Sequence, residues 1–279
     1  MGMRLLRRGK VRDIYQVDDD HLLLVATDRI SAFDFVLKPE IPDKGVVLTR
    51  ISRFWFEHFS AIPNHYVTCD IDGLDMPDEW RGRATLVRRA RVIPYEFIVR
   101  GYLAGSAWES YRRSGTVYGH RLPDGLRKGA RLPEPILTPT TKAAVGHDEP
   151  VTLEQIRADV GEETAQFLFT QSIKIYKEAA ELLLKKNLIL ADTKFEWGFI
   201  DGKPCLIDEL LTPDSSRYWD ASAYRQQRLQ QFDKQIVRDY LLTTGWDRKS
   251  PPPPLPNRVV EETRRRYIEL LQRITGEVL

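Results

Sequence analysis

From about Glu162 to Lys186 the apolar residues recur at helical spacing, and the segment that follows, Leu190 to Trp219, alternates as a hairpin does. A long amphipathic helix delivered straight into a β-hairpin excludes all-α and all-β architectures. The earlier chain is richer in strand signals. KVRDIYQV and HLLLVATD are two β-type runs joined by the acidic turn DDD, and ATLVRRARV and YEFIVRGYL are two more, separated by Ile93-Pro94. Proline removes a ladder donor, so this dipeptide is expected to break the strand and to serve as a hinge. Thr152-Leu-Glu-Gln155 has the form of a capping box. Arg217 to Leu242 and Val259 to Ile274 read as helices, with SPPPPLP as a stiff connector between them. Strands early and helices late predict an α+β fold with two lobes, residues 1–94 and 95–279, around a cleft.

The chain's 279 residues suffice for two such lobes. Its 42 Lys+Arg against 40 Asp+Glu leave +2, which argues against a nucleic-acid footprint, and Arg264-Arg265-Arg266 reads as a solvated helix face. Cys69 and Cys205 form neither a disulfide framework nor a zinc pattern, so a reducing cytoplasm is the expected setting. No apolar run suits a signal peptide or a membrane span, and a soluble protein is expected. A homo-oligomer is compatible with the sequence.

The hairpin concentrates charge. Alternation puts Lys194 and Glu196 on one face and Phe195, Trp197 and Phe199 on the other. A two-residue loop of Asp201-Gly202 would set Glu196 opposite Ile207 and Asp208 opposite Phe195, mixing charge with core. A three-residue loop that includes Lys203 sets Glu196 opposite Asp208, and this is the expected register, with Gly202 at positive φ. Such a like-charged pair needs a cation between its members. Magnesium held by Glu196, Asp208 and substrate phosphates would fit, with Lys194 beside a transferring phosphoryl group. The alternative is a surface hairpin with a Lys–Glu pair.

Four further clusters suit phosphate. GKVRDIY places Lys10 and Arg12 on one side of a strand after a glycine, where an exposed basic strand is the plainer account. Gly105 and Ser106 precede a helical pattern in which Ser106 to Glu109 reads as a capping box, with Arg100 just upstream. Ser215, Ser216 and Arg217 offer hydroxyl and guanidinium donors. Lys234 and Arg238 are four apart on one helical face, where salt bridging to a neighbouring acid is the plainer account. Four clusters exceed what one nucleotide requires, so two phosphorylated ligands are inferred.

Taken together, GKVRDIY, ATDRISAFD, VIPYEFIVRGYLAGSAW, LTPTTKA, GHDEP, LADTKFEWGF, DELLTPDSSRYW and DKQIVRDYL resemble, in order and over nearly the whole chain, the SAICAR synthetase family. The resemblance implies a two-lobed fold with an N-terminal lobe like that of protein kinases. It also implies ATP- and magnesium-dependent joining of L-aspartate to the carboxylate of carboxyaminoimidazole ribonucleotide (CAIR). It assigns Lys10 and Arg12 to the ATP phosphates, Pro94, Tyr95 and Glu96 to the adenine pocket, and Glu196 and Asp208 to magnesium. Arg100, Ser106, Ser216, Arg217 and Arg238 would hold the ribonucleotide, Asp148 and Asp192 its aminoimidazole, and Lys142 and Lys234 substrate anions. Lys194 would lie between acceptor carboxylate and γ-phosphate. Trp197 stands where the family commonly has Phe, and GHDEP lacks an acidic residue before His147. The competing functions are a nucleotide-binding regulatory module of the same fold and a kinase that stops at phosphoryl transfer.

Overall fold

The computed structural model describes residues 3–142 and 148–279; the Gly146-His147 part of GHDEP lies outside them. In chain order the elements are β1 Arg4–Arg8, β2 Arg12–Gln16, β3 His21–Ala26, β4 Ser31–Ala32, β5 Phe35–Val36, α1 Lys44–His58, β6 Tyr66–Thr68, β7 Ala84–Arg88, β8 Arg91–Tyr102 and α2 Gly105–Ser114. They continue with β9 Thr116–Val117, β10 His120–Arg121, β11 Arg131–Leu137, β12 Thr140–Thr141, α3 Leu153–Val160, α4 Glu162–Lys185, β13 Leu188–Ile200, β14 Lys203–Ile207 and β15 Ser216–Asp220. The last helices are α5 Ala221–Arg225, α6 Gln235–Thr243 and α7 Asn257–Thr275.

The expected N-terminal hairpin is β2–β3, inside a sheet ordered β1-β2-β3-β7-β6. A second sheet runs β11-β8-β13-β14, with β12 added to β8 and β15 to β13. Its central pair is long enough for each strand to take two partners in succession along its outer edge. On β13, residues Glu196 to Ile200 pair with β14 and residues Leu188 to Thr193 with β15. The chain leaving β14 must therefore swing away opposite Lys194 and return, and Lys194 N–H donates to Ser215 O at 2.9 Å where it does so. This change of partner creates the gap in which the candidate site residues gather.

The long helix forms as expected. α4 buries Ala165, Leu168, Phe169, Ser172, Ile175, Tyr176, Ala179 and Leu183, a stripe at three- and four-residue spacing, against Phe97, Phe195 and Trp197 of the central strands. Trp197 Nε1 donates to Ser172 Oγ at 3.1 Å, so the larger ring is accommodated with its polar atom satisfied. The Thr152–Gln155 capping box is present in full. α7 also matches its expected span, and the proline-rich connector before it carries one buried anchor, Leu255, whose N–H donates to Lys38 O at 2.7 Å.

Three expectations about the sheet fail. Ile93-Pro94 does not break the strand: β8 continues through it, and the register against β13 slips between Glu196↔Glu96 and Gly198↔Val92. The proline is carried in a bulge, where no ladder donor is missed. The hairpin turn has two residues, Asp201 at φ 51 and Gly202 at φ 74, which sets Glu196 opposite Ile207. Aspartate tolerates the left-handed region well enough for this tight turn. Lastly, Arg217–Leu242 is not one helix: Ser216–Asp220 joins the sheet, and only Gln235–Thr243 of the remainder is a substantial helix. The aromatic pair Tyr218 and Trp219 is wholly buried there, which favours a pleated strand.

Candidate active site

Three side chains of β13 project into the gap at two-residue intervals, and each is answered from a neighbouring strand. Asp192 lies opposite Arg100 of β8 on one side and Arg217 of β15 on the other. Its Oδ2 accepts from Arg217 Nη1 at 2.7 Å and from Arg100 Nη1 at 3.4 Å. Glu196 lies opposite Glu96, a like-charged pair in place of the expected Glu196–Asp208 pair. Lys194 resolves the repulsion, with Nζ 2.6 Å from Glu196 Oε1 and 2.8 Å from Glu96 Oε1. Lys142 Nζ bonds the second oxygen of Glu196. Burial opposes the Lys194 ammonium, but Glu196, Glu96 and Asp208 outweigh it and hold its pKa well above the ordinary lysine value. Burial pushes the Glu96 carboxyl up, against the pull of Lys194.

Asp208 comes one residue past the end of β14, at φ 68. A non-glycine residue costs about 1–2 kcal/mol there, so the surroundings must hold it. Its carboxylate bonds Arg12, whose Nη2 also lies 3.0 Å from Glu209 Oε2. Burial acts to raise the Asp208 pKa, yet Arg12, Lys194 and Lys142 prevail and hold it below the usual range. His65 Nε2 lies 3.1 Å from the Asp208 carbonyl oxygen. The imidazole is buried, which pushes its pKa down to about 4, so it is neutral at physiological pH.

At the opposite end Arg100 is fixed by three acceptors: Thr138 Oγ1 at 2.8 Å, Asp192, and Ser106 Oγ at 3.3 Å. The expected Ser106 capping box is absent. Ala104 is the N-cap residue, with no side-chain cap, and Ser106 lies one position inside α2 with its hydroxyl turned to Arg100. Gly105 has φ 53, and a Cβ there would meet Arg217 Nη2 at 2.2 Å, so the guanidinium packs where a side chain would be. Arg100, Ser106, Asp192, Lys194, Arg217 and Arg238 line a cavity of about 220 Å³. Through Ser106, Arg217 and Arg238 it adjoins a larger space of about 870 Å³ between α2 and α6.

Other expected residues are dispersed or already engaged. Lys10 does not accompany Arg12 but points outward, 2.7 Å from Asp34. Gly9 is nonetheless required, because a Cβ would lie 2.4 Å from Arg12 O. Pro94 is exposed, and Tyr95 sits in the core with its hydroxyl bonded to Asp159. The Ser216 hydroxyl is 2.8 Å from Thr193 Oγ1, and that of Ser215 closes a turn with Thr212. Asp148 is exposed, yet near enough to Glu96 to contribute to its raised pKa. Lys234 caps α6 and feels Asp214.

Several residues of the site had no signal of their own in the sequence. Arg29 donates to Gly9 O at 3.1 Å and Lys10 O at 3.2 Å and so shapes that loop. Lys44, wholly buried at the start of α1, lies 2.8 Å from Asp214 Oδ2, while Tyr267 of α7 donates to Asp214 Oδ1 at 2.9 Å. These contacts hold the Thr212–Arg217 connection in place. Arg29 and Asp214 lie within the quoted ATDRISAFD and DELLTPDSSRYW segments, but only tertiary contacts reveal what they do.

The family model described as SAICAR synthetase matches residues 5–253. Proteins named phosphoribosylaminoimidazole-succinocarboxamide synthase from Syntrophobacter fumaroxidans and Thermodesulfovibrio yellowstonii are 50% and 51% identical, over 100% and 99% of this chain and 95% and 96% of their own. Among solved structures, a SAICAR synthase from Saccharomyces cerevisiae complexed with SAICAR superposes with a TM-score of 0.88 at 38% identity, covering 99% of this chain and 96% of that one. A SAICAR synthetase in complex with ADP shares the fold, with a TM-score of 0.76 at 24% identity over 98% of each chain. The chain belongs to the SAICAR synthetase family, the ATP-dependent ligases of purine biosynthesis.

Proposed function

We propose that the charged face of β13 aligns the reaction, with the ribonucleotide at its Asp192 end, magnesium and ATP at its Glu196 end, and Lys194 between them. The observation that carries this reading is the order Asp192, Lys194, Glu196 along one strand, an arginine-rich pocket at one end and a carboxylate-rich one at the other. In this reading residues 1–94 cover the nucleotide and residues 95–279 supply the chemistry.

Arg100, Ser106, Arg217 and Arg238 suit the ribonucleotide's phosphate, because guanidinium groups fork onto phosphate oxygens. Asp192 and Asp148 would accept from the aminoimidazole amine. Glu196 and Asp208 are hard oxygen donors in a part of the site already shared with Arg12 and Lys142. Among the described residues no three His, Cys, Asp or Glu are placed to hold a metal alone. That donor set fits magnesium, which takes one or two carboxylates and completes its shell with phosphates and water. When bound, magnesium would neutralise phosphate charge.

A carboxylate is a poor electrophile, since its leaving group would be oxide. Transfer of the γ-phosphoryl group to a carboxylate oxygen of CAIR breaks the bond to ADP and forms an acyl phosphate, with Lys194 beside the moving charge. The aspartate amine then attacks the acyl carbon; the C–N bond forms, the C–O bond to phosphate breaks, and the nitrogen gives up a proton. The protein's contribution is alignment and fixed charge. Incubation with ATP, magnesium and CAIR, with and without aspartate, tests the reading. SAICAR formed only with aspartate supports it, aspartate-independent stoichiometric phosphorylation indicates a kinase, and binding without turnover indicates a regulatory module.

A further inference from the structure

Asp208 and Glu196 are held differently. Glu196 is embedded in β13 with strands on both sides, so its backbone has no freedom. Asp208 is beyond the ladder, in the left-handed region, where nothing in the sheet fixes its peptide plane. Among the described residues, the side chain that bonds its carbonyl comes from 143 positions earlier in the chain, at His65.

His65 is itself rigidly placed. Its N–H donates to Leu206 O at 2.9 Å, its carbonyl accepts from Arg88 N–H at 2.8 Å, and Leu206 N–H donates to Pro63 O at 2.8 Å. The segment before it thus runs as a short parallel partner beside β14 and ties that strand to β7 of the other sheet. The ring is buried and packs on Phe56 at 5.6 Å between centroids. A carbonyl oxygen only accepts, so Nε2 carries the proton and donates it. The two sheets therefore meet at one imidazole whose N–H holds the backbone of Asp208, while Arg12, from the first sheet, holds its carboxylate.

We propose that His65 is a positioning residue for the metal site: its Nε2–H fixes the Asp208 peptide so that the carboxylate is presented beside Glu196. This rests on the reading of Asp208 as a magnesium ligand. Residues that orient a ligand without touching the metal typically change metal affinity on the order of 10–100-fold when removed.

The test uses Mn²⁺ as the probe, with its binding to the full chain followed by electron paramagnetic resonance in the presence of ADP. His65→Phe keeps the ring and its packing but has no donor. His65→Gln places an amide N–H near the position of Nε2. His65→Phe is expected to weaken Mn²⁺ binding about tenfold with little change in KM for the ribonucleotide, and His65→Gln to recover most of the loss. If His65→Phe does not fold, His65→Met, which fills the space without a donor, takes its place. Wild-type Mn²⁺ affinity in the donorless variant overturns the proposal, as does equal weakening in the Gln variant. Asp208→Asn is the control: loss of Mn²⁺ binding there with none in His65→Phe defeats only the positioning role, whereas unchanged binding in Asp208→Asn defeats the ligand assignment beneath it.

Discussion

The two ends of the Asp192–Glu196 segment share a strand, a sheet and a degree of burial, yet their charge balance is opposite. At the Asp192 end the guanidinium groups of Arg100, Arg217 and Arg238 outnumber the carboxyl groups that act on them, Asp192 and Asp233, while Asp214 in the same cavity is answered by Lys44. At the Glu196 end four carboxylates, Glu96, Glu196, Asp208 and Glu209, face Arg12, Lys142 and Lys194. The first end has cationic charge to spare and calls for an anion. The second is nearly balanced, so an added polyphosphate there needs an accompanying cation. In the proposed reading, what separates a phosphate pocket from a metal-phosphate pocket on this strand is the count of charges, with backbone geometry in common.

That contrast can be broken from either end. The largest effect is expected at Asp208→Asn, which preserves size but weakens the proposed metal ligand: magnesium-dependent turnover should vanish at ordinary magnesium concentrations, and wild-type turnover would remove magnesium from this end. Next comes Lys194→Met. Loss of about 3 kcal/mol of transition-state stabilisation lowers kcat on the order of a hundredfold, with ATP affinity little changed. Because Lys194 also separates Glu96 from Glu196, the melting temperature should fall as well. Lys194→Arg separates the two roles, restoring stability while kcat stays low; a variant of either kind with normal kcat would reduce Lys194 to a structural ion.

The anion-binding end predicts a different signature. Arg100→Ala should raise KM for the ribonucleotide roughly ten- to a hundredfold, the value of about 1.5–3 kcal/mol for a charge-assisted contact, and leave KM for ATP nearly unchanged. Equal changes in both would mean that the two ends are not separate sites. The smallest effect is one of stability. Burial lowers the Lys234 pKa to about 8 against the pull of Asp214. Its folded value lies below the unfolded one near 10.4, so the unfolded chain binds more protons between them and stability rises with pH across that window. Lys234→Met should therefore raise the melting temperature at pH 7, by about 2–4 °C for ~1 kcal/mol, with the gain fading as pH approaches 10.4. A gain independent of pH, or a loss at pH 7, would show that the ammonium is well accommodated.

Helical periodicity and strand alternation carried a long way in this chain. α4, α7 and the β2–β3 hairpin follow from local pattern, and so does the placement of Lys194 and Glu196 on one face of a strand. Register did not follow, because Asp201 as well as Gly202 takes positive φ, and the like-charged partner of Glu196 is Glu96 on β8, not Asp208. The strand in 216–220 was hidden by the helical look of the residues after it. His65, Lys44 and Asp214 were out of reach for another reason: they are joined by contacts 143 or more positions apart, or to helices whose docking no local pattern specifies.

The close packing of Arg217 against Gly105 also limits how such a chain can drift. Any residue larger than glycine at position 105 meets both an unfavourable backbone angle and the guanidinium of position 217. Moving the arginine first empties half of the support of Asp192. Each change disturbs what the other position supports, so the two positions are expected to be epistatic, and a lineage that alters one must cross a form in which the Arg217–Asp192 contact or the backbone at position 105 is impaired.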